Sequence, residues 1–178
     1  YAATHRVYRS TDGAASWNAI SGDLTDGPPP ASSSALDRKV DGTSHLASVV
    51  EGTVTTVAPS GLDLSVVWAG TDDGHVRVTQ NGGSAWVGVD VPGRSEWVTR
   101  VEADPFSAST AYVTFSGYRE GSRLPRIFRT VDFGASWADI TGNLPDVPLN
   151  CVNADPDPAM RGRLFVCNDL GVYVTDNY

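Results

Sequence analysis

Arg129-Thr130-Val131-Asp132-Phe133-Gly134-Ala135-Ser136-Trp137 joins a short β-like run, Arg126 to Thr130, to a second run that begins at Trp137. Read as chemistry, it is a tight turn with an acid, a glycine and an aromatic plug. Asp132 is placed to accept N–H groups of its own turn, a geometry that fixes loops without catalysis. Gly134 sits where the chain needs a positive φ. Trp137 brings a large apolar surface and one N–H donor, and is expected to fold back over the turn.

The pattern recurs. Ser10-Thr11-Asp12-Gly13-Ala14-Ala15-Ser16-Trp17 is an earlier copy, Thr79-Gln80-Asn81-Gly82-Gly83-Ser84-Ala85-Trp86 a degraded one, and Thr175-Asp176-Asn177-Tyr178 the start of another. Ala14, Asn81 and Ala85 depart from the pattern, which predicts looser turns there. The series [ST]-x-[DN]-x-G-x-[ST]-W resembles the Asp-box, or BNR repeat, of β-propellers such as sialidases, xyloglucan-active glycosidases and the sortilin/VPS10 group. On that resemblance Ser10, Asp12, Trp17, Asn81, Gly83, Trp86, Asp132, Gly134 and Trp137 are structural turn residues. Thr4 to Gly13, Ala19 to Thr25, Gly70 to Val76, Trp97 to Ala103 and Thr141 to Pro145 are similar to large bacterial propeller proteins grouped with the sortilin N-terminal domain. That likeness implies an extracellular or periplasmic propeller and leaves its activity open.

Composition sets outer bounds. The chain has 178 residues, with 18 glycines and 11 prolines, as suits a turn-rich β protein. A formal charge of −8 argues against nucleic acid and anionic membrane surfaces as partners. No apolar run is long enough to span a bilayer, and no signal peptide is recognisable. The chain starts at Tyr1 in what reads as the end of a strand, so a piece of a larger protein is expected. Cys151 and Cys167 fall nearly opposite each other if their two runs pair, which allows either a cross-strand disulfide or two buried free thiols.

The aspartate or asparagine positions 12, 81, 132 and 177 are spaced by 69, 51 and 45 residues. A four-stranded propeller blade takes roughly 40–50 residues, so the last two intervals fit directly. The surplus in the first interval is a Pro/Ser/Gly-rich insertion running from Asp26 to His45. The expected architecture is all-β: a partial β-propeller of about three and a half four-stranded antiparallel blades. Residues 1–22 end one blade, 23–45 form the insertion, 46–91 and 92–145 are blades, and 146–178 are an incomplete one. No segment shows a convincing helical period. Because rings suppress free edges, further blades or self-association are expected to cover the ends.

Within a blade, the repeated turns connect the third and fourth strands and lie on one rim. The opposite face collects the loops between second and third strands. Gly117-Tyr118-Arg119-Glu120-Gly121-Ser122-Arg123-Leu124-Pro125 is the richest of these, with an aromatic ring, a carboxylate and guanidinium groups. Thr71-Asp72-Asp73-Gly74 is the other candidate, read equally as a turn whose aspartates cap backbone amides. Ligand-binding candidates are therefore Tyr118, Arg119, Glu120, Asp72 and Asp73. His5, His45 and His75 read as surface turn residues, and no metal or cofactor is implied.

Two functions remain open at this point. One is a secreted scaffold that binds glycan or protein through these loops. The other is part of a glycoside hydrolase, xyloglucanase- or sialidase-like, with an acid and a base among Asp72, Asp73, Glu96, Glu120 and Asp169. Glycoside hydrolysis needs two carboxyls about 5–9.5 Å apart, and nothing in the sequence pairs any two. Purely structural repeats form a third class. Whether the chain is an enzyme stays undecided.

Overall fold

The computed structural model describes residues 1–27, 52–92 and 96–176. Most of the expected insertion, and the completion of the fourth repeat at Asn177 and Tyr178, lie outside the described residues.

In each repeat turn a hydroxyl and an acid or amide organise the backbone. Ser10, Thr79 and Thr130 donate to Asp12, Asn81 and Asp132 at 2.7, 2.9 and 2.7 Å. The same hydroxyls accept the N–H of Ala14, Gly83 and Gly134 at 2.8, 3.0 and 2.9 Å. Asp12, Asn81 and Asp132 then accept the N–H of Ser16, Ala85 and Ser136 at 3.0, 2.8 and 2.9 Å. Two turns add a further bond, the Ser16 and Ser136 hydroxyls donating to Asp12 and Asp132 at 2.6 Å.

The expectation of looser turns is met by one lost bond at the Asn81 turn and corrected at Ala14. Asn81 lacks a second carboxylate oxygen and Ala85 lacks a hydroxyl, so the missing bond disappears from both sides and no group is stranded. The Ala14 turn keeps its full set of bonds although Ala14 holds φ at 71°, the left-handed region. Its cost is strain rather than lost contacts.

These bonds depress the two acids. Ser16, through its hydroxyl and then its N–H, and the Ser10 hydroxyl lower Asp12 from 3.8 to about 2. Asp132 is lowered by the matching set from Ser136 and Thr130. A folded value below the unfolded one means that the contribution is complete above the ordinary carboxylate range and is lost as pH falls toward the folded value. Acid titration followed by near-ultraviolet dichroism is expected to show Asp12→Asn losing less structure than the parent between about pH 4 and 2. Superimposable acid limbs would show that this turn does not feel the proton.

Among the described residues, fourteen short strands follow the repeat. They are β1 (Ala2–Ala3), β2 (Val7–Arg9), β3 (Asn18–Ala19), β4 (Val54–Pro59), β5 (Val67–Thr71), β6 (Val76–Thr79) and β7 (Val87–Val89). Then come β8 (Trp97–Ala103), β9 (Ala111–Ser116), β10 (Arg126–Thr130), β11 (Ala138–Asp139), β12 (Leu149–Ala154), β13 (Leu164–Asn168) and β14 (Gly171–Thr175). They form four antiparallel sheets in chain order, β1-β2-β3, β4-β5-β6-β7, β8-β9-β10-β11 and β12-β13-β14. This is a partial β-propeller, and the sheets are called blades 1 to 4 below. Two single turns of 3-10 helix, Tyr118–Glu120 and Pro158–Met160, interrupt loops that carry no helical period.

The core lies between blades rather than within them. Val7 and Leu24 of blade 1 pack on Val54 and Ala69 of blade 2. Trp68, Val76 and Val78 of blade 2 meet Val98, Val113 and Phe115 of blade 3. Tyr112 and Ile127 of blade 3 meet Leu149, Val152, Leu164 and Val166 of blade 4. Strand β9 is therefore buried at every residue, Val113 and Phe115 facing one neighbour and Tyr112 the other. A strand covered on both faces has no reason to alternate.

The junctions of blades 2 with 3 and of 3 with 4 reuse the same parts. A β-bulge opens β4, β8 and β12 at Thr55, Thr99 and Asn150. The Thr55 hydroxyl donates to the Val98 carbonyl at 2.7 Å, and Thr99 to the Leu149 carbonyl at 2.9 Å. Each is a clip from one blade to the next.

The tryptophans also work between blades, which corrects the expectation that they cover their own turns. The Trp86 indole donates to the Ile20 carbonyl of blade 1 at 2.8 Å. Trp137 packs edge-on against Trp68 of blade 2, centroids 6.3 Å apart. A turn offers an indole too little surface, whereas the neighbouring blade buries most of it. Trp17 has no described blade beside it and is 45% exposed.

Cys151 and Cys167 are directly opposed in β12 and β13 and form a disulfide, Cα atoms 5.2 Å apart. The free-thiol alternative is thereby excluded. The bond straddles the exposed loop containing Pro158–Met160.

Candidate functional site

Gly117 places the richest loop. A Cβ on it would lie 2.8 Å from Glu96 Oε1, so the loop backbone rests directly on that carboxylate. Glu96 is buried and pairs with Arg126 Nε at 3.0 Å. Burial of the Glu96 charge is tolerable because the half-buried Arg126 guanidinium lies against it. Neither Glu96 nor Arg126 was legible as a pair, since they sit 30 residues apart in sequence.

From that base the 3-10 turn projects three side chains differently. Tyr118 is 75% exposed and stands free of the surface. Arg119 lies over the Trp97 ring, Cζ 4.7 Å from the centroid, a cation–π contact. Its Nη1 is 4.0 Å from Asp72 Oδ2 on blade 2. Glu120 is exposed. The structure thus brings Tyr118, Arg119 and Asp72 to one place and adds Trp97, which sequence reading treated only as the start of a strand.

Asp72 and Asp73 part company. Asp72 accepts the Thr53 N–H at 2.6 Å. Asp73 takes the Thr71 hydroxyl of its own blade and, turned toward blade 1, accepts the Asp26 N–H at 2.9 Å. His75 pairs with Asp26, Nε2 to Oδ1 2.6 Å, instead of standing alone as a turn residue. Ligand atoms of Asp26, Asp73 and His75 all lie within 4.8 Å of one another, the set among the described residues that has the donor chemistry for a divalent cation. The three groups already satisfy one another, which reads as a latch between blades 1 and 2.

The exposed sides of the innermost strands carry a polar stripe not anticipated from sequence. Arg100 binds Glu102 at 2.8 Å, Asn153 donates to Glu102 at 3.1 Å, and Asn150 donates to Asp169 at 2.8 Å. Strand alternation is the signal that marks them, since these side chains point away from the inter-blade core.

Of the same-face carboxylates, Asp72, Asp73, Glu96 and Asp169 each face an N–H, a hydroxyl or a guanidinium. These contacts hold the four carboxylates in fixed orientations.

No known family and no curated protein matches this sequence. Solved structures do. A GH74 enzyme of Niastella koreensis aligns with a TM-score of 0.58 at 21% identity, over 92% of this chain and 22% of its own. YCF48 from Cyanidioschyzon merolae aligns at 0.51 and 21% identity, over 70% of this chain and 34% of its own. A YCF48 bound to D1 peptide aligns at 0.52 and 14% identity, over 91% of this chain and 40% of its own. This chain thus spans between about a fifth and two-fifths of the length of these proteins. Identities this low carry the fold alone. They agree with the blade geometry: the chain is a run of consecutive β-propeller blades.

Proposed function

We propose that the chain is a non-catalytic binding segment of a secreted Asp-box propeller, taking a protein segment or glycan on the face that carries Tyr118, Arg119, Trp97 and Asp72. The observation that carries this reading is the guanidinium of Arg119 held over Trp97 beside an exposed Tyr118. It offers a flat apolar surface with an oriented donor at its edge, the mixture that peptide and sugar recognition share. Glu120, exposed on the same turn, is a further contact, whereas Asp73 is held toward blade 1. The peptide bound by a YCF48 neighbour supports protein recognition on this fold. The disulfide favours an oxidising compartment, extracellular or periplasmic. Further blades or self-association cover the outer edges in the same reading.

Peptide and glycan arrays probed with the parent, Tyr118→Ala and Arg119→Ala test it. Both variants are expected to melt like the parent, because neither side chain enters the core, and to lose at least about tenfold in binding. Binding unchanged in both would remove this face. The likeness to GH74 enzymes gives a second reading, hydrolysis of a xyloglucan-type chain. Reducing-sugar release from xyloglucan, abolished by Glu120→Gln or Asp72→Asn, would replace the binding reading with that one.

A further inference from the structure

The second repeat turn carries a chemistry that the first and third do not. Asn81 stands where the others have Asp12 and Asp132, and Gly82 follows it. The chain's other asparagines precede Ala19, Leu144, Cys151, Ala154, Asp169 and Tyr178, all larger than glycine. With no Cβ beside it, the main-chain nitrogen of Gly82 can approach the side-chain amide carbon of Asn81. Asn81 itself is exposed.

In the folded turn both reacting groups are engaged. Asn81 Oδ1 accepts the Thr79 hydroxyl at 2.9 Å and the Ala85 N–H at 2.8 Å. The Gly82 N–H donates to the carbonyl of Ser65, in the loop between β4 and β5, at 2.9 Å. Attack requires that nitrogen to be released and deprotonated, and the Asn81 amide to swing off its two donors. The reaction therefore waits on local opening of the turn.

We infer that Asn81 is a covalent modification site, deamidated without an enzyme when this turn opens and kept intact while it is closed. The Gly82 nitrogen bonds to Asn81 Cγ as the Cγ–Nδ2 bond breaks, and Nδ2 departs as ammonia carrying the Gly82 amide proton. Water then opens the five-membered imide. Cleavage between nitrogen and Cγ gives aspartate in an ordinary backbone. Cleavage between nitrogen and the main-chain carbonyl carbon gives isoaspartate, with the chain running through the former side chain.

The two products act oppositely on the fold. Aspartate at 81 restores the acid of the first and third turns and accepts the same two donors. Isoaspartate adds a methylene to the backbone between Thr79 and Gly83, which pulls the Gly82 N–H off Ser65 and the Gly83 N–H off its 3.0 Å bond to Thr79. Gly83 rests on the Ile20 carbonyl, the acceptor of the Trp86 indole, so the junction of blades 1 and 2 loosens with it. The inference does not depend on the ligand face, which lies on other loops.

The test incubates the 178-residue chain at mildly alkaline pH beside an unstructured peptide of residues 78–87, Val-Thr-Gln-Asn-Gly-Gly-Ser-Ala-Trp-Val. Mass spectrometry of digests follows the gain from amide to acid, and isoaspartyl methyltransferase labelling separates the two acids. The peptide is expected to convert to both acids, and the folded chain at least about tenfold more slowly. Trp86→Ala, which removes the indole clip on Ile20, is expected to speed conversion in the chain. Asn81→Asp is expected to melt like the parent. A peptide that does not convert overturns the site, and equal rates in peptide and folded chain overturn its protection. Both comparisons stand without the variants. A folded Trp86→Ala chain converting at the parent rate, or an Asn81→Asp chain that melts well below the parent, overturns the link to the junction or the benign role of the aspartate product.

Discussion

Gly83→Ala is expected to destabilise the chain by about 3 kcal/mol, while Ala14→Gly at the equivalent repeat position stabilises it by about 0.5 kcal/mol. Gly83 has φ 99°, and a Cβ there would lie 2.4 Å from the Ile20 carbonyl oxygen. That oxygen cannot yield easily, because it also holds the Trp86 indole at 2.8 Å. The new methyl would therefore strain the backbone and break a junction bond together. At Ala14 the φ of 71° is strained already, and the residue is exposed. Removing its Cβ relieves the strain, partly offset by the greater freedom of glycine in the unfolded chain. Urea unfolding of the two variants beside the parent measures both. A neutral Gly83→Ala together with a costly Ala14→Gly would show that neither the positive φ nor the junction contact requires glycine at this repeat position.

Trp68→Ala is expected to cost about 3–5 kcal/mol, and Trp137→Ala about 2 kcal/mol. Trp68 is fully buried in blade 2, and Trp137 reaches it from blade 3. Neither indole nitrogen has a hydrogen-bond partner among the described residues, so the losses are those of packing. A double-mutant cycle should return a coupling of about 0.5–1.5 kcal/mol, the size of an edge-to-face aromatic pair. Additive losses would mean that the two rings fill separate spaces and that blades 2 and 3 are joined by the Val98 and Phe115 layer instead.

How far the sequence was readable follows from what repeats. Strand β10 covers the run read from sequence, Arg126 to Thr130, because it ends on a turn whose Ser/Thr, Asp/Asn and Gly recur. The opposed cysteines were readable for the same reason, from the pairing of two adjacent runs. Relations between blades were not. Nothing in a repeat states that Trp86 seeks Ile20, or that Thr55 donates to Val98, since those partners belong to a different copy. The ligand face shows the same division. Tyr118 and Arg119 stood out within one loop, but Trp97 beneath Arg119 and the Glu96–Arg126 pair come from strands far apart in sequence. The pairing of Asp26 with His75 joins the edge of the insertion to a hairpin of the following blade, a contact without any local signature.

The disulfide encloses an exposed loop that ends at Arg161 and Gly162, and both of its cysteines belong to strands buried against blade 3. A protease that cuts after Arg161 would therefore sever the polypeptide without separating the pieces. The nicked molecule keeps its mass under oxidising conditions and keeps β12 and β13 in register. Only a reductant would release the C-terminal fragment, so the bond converts an accessible cleavage site into a silent one.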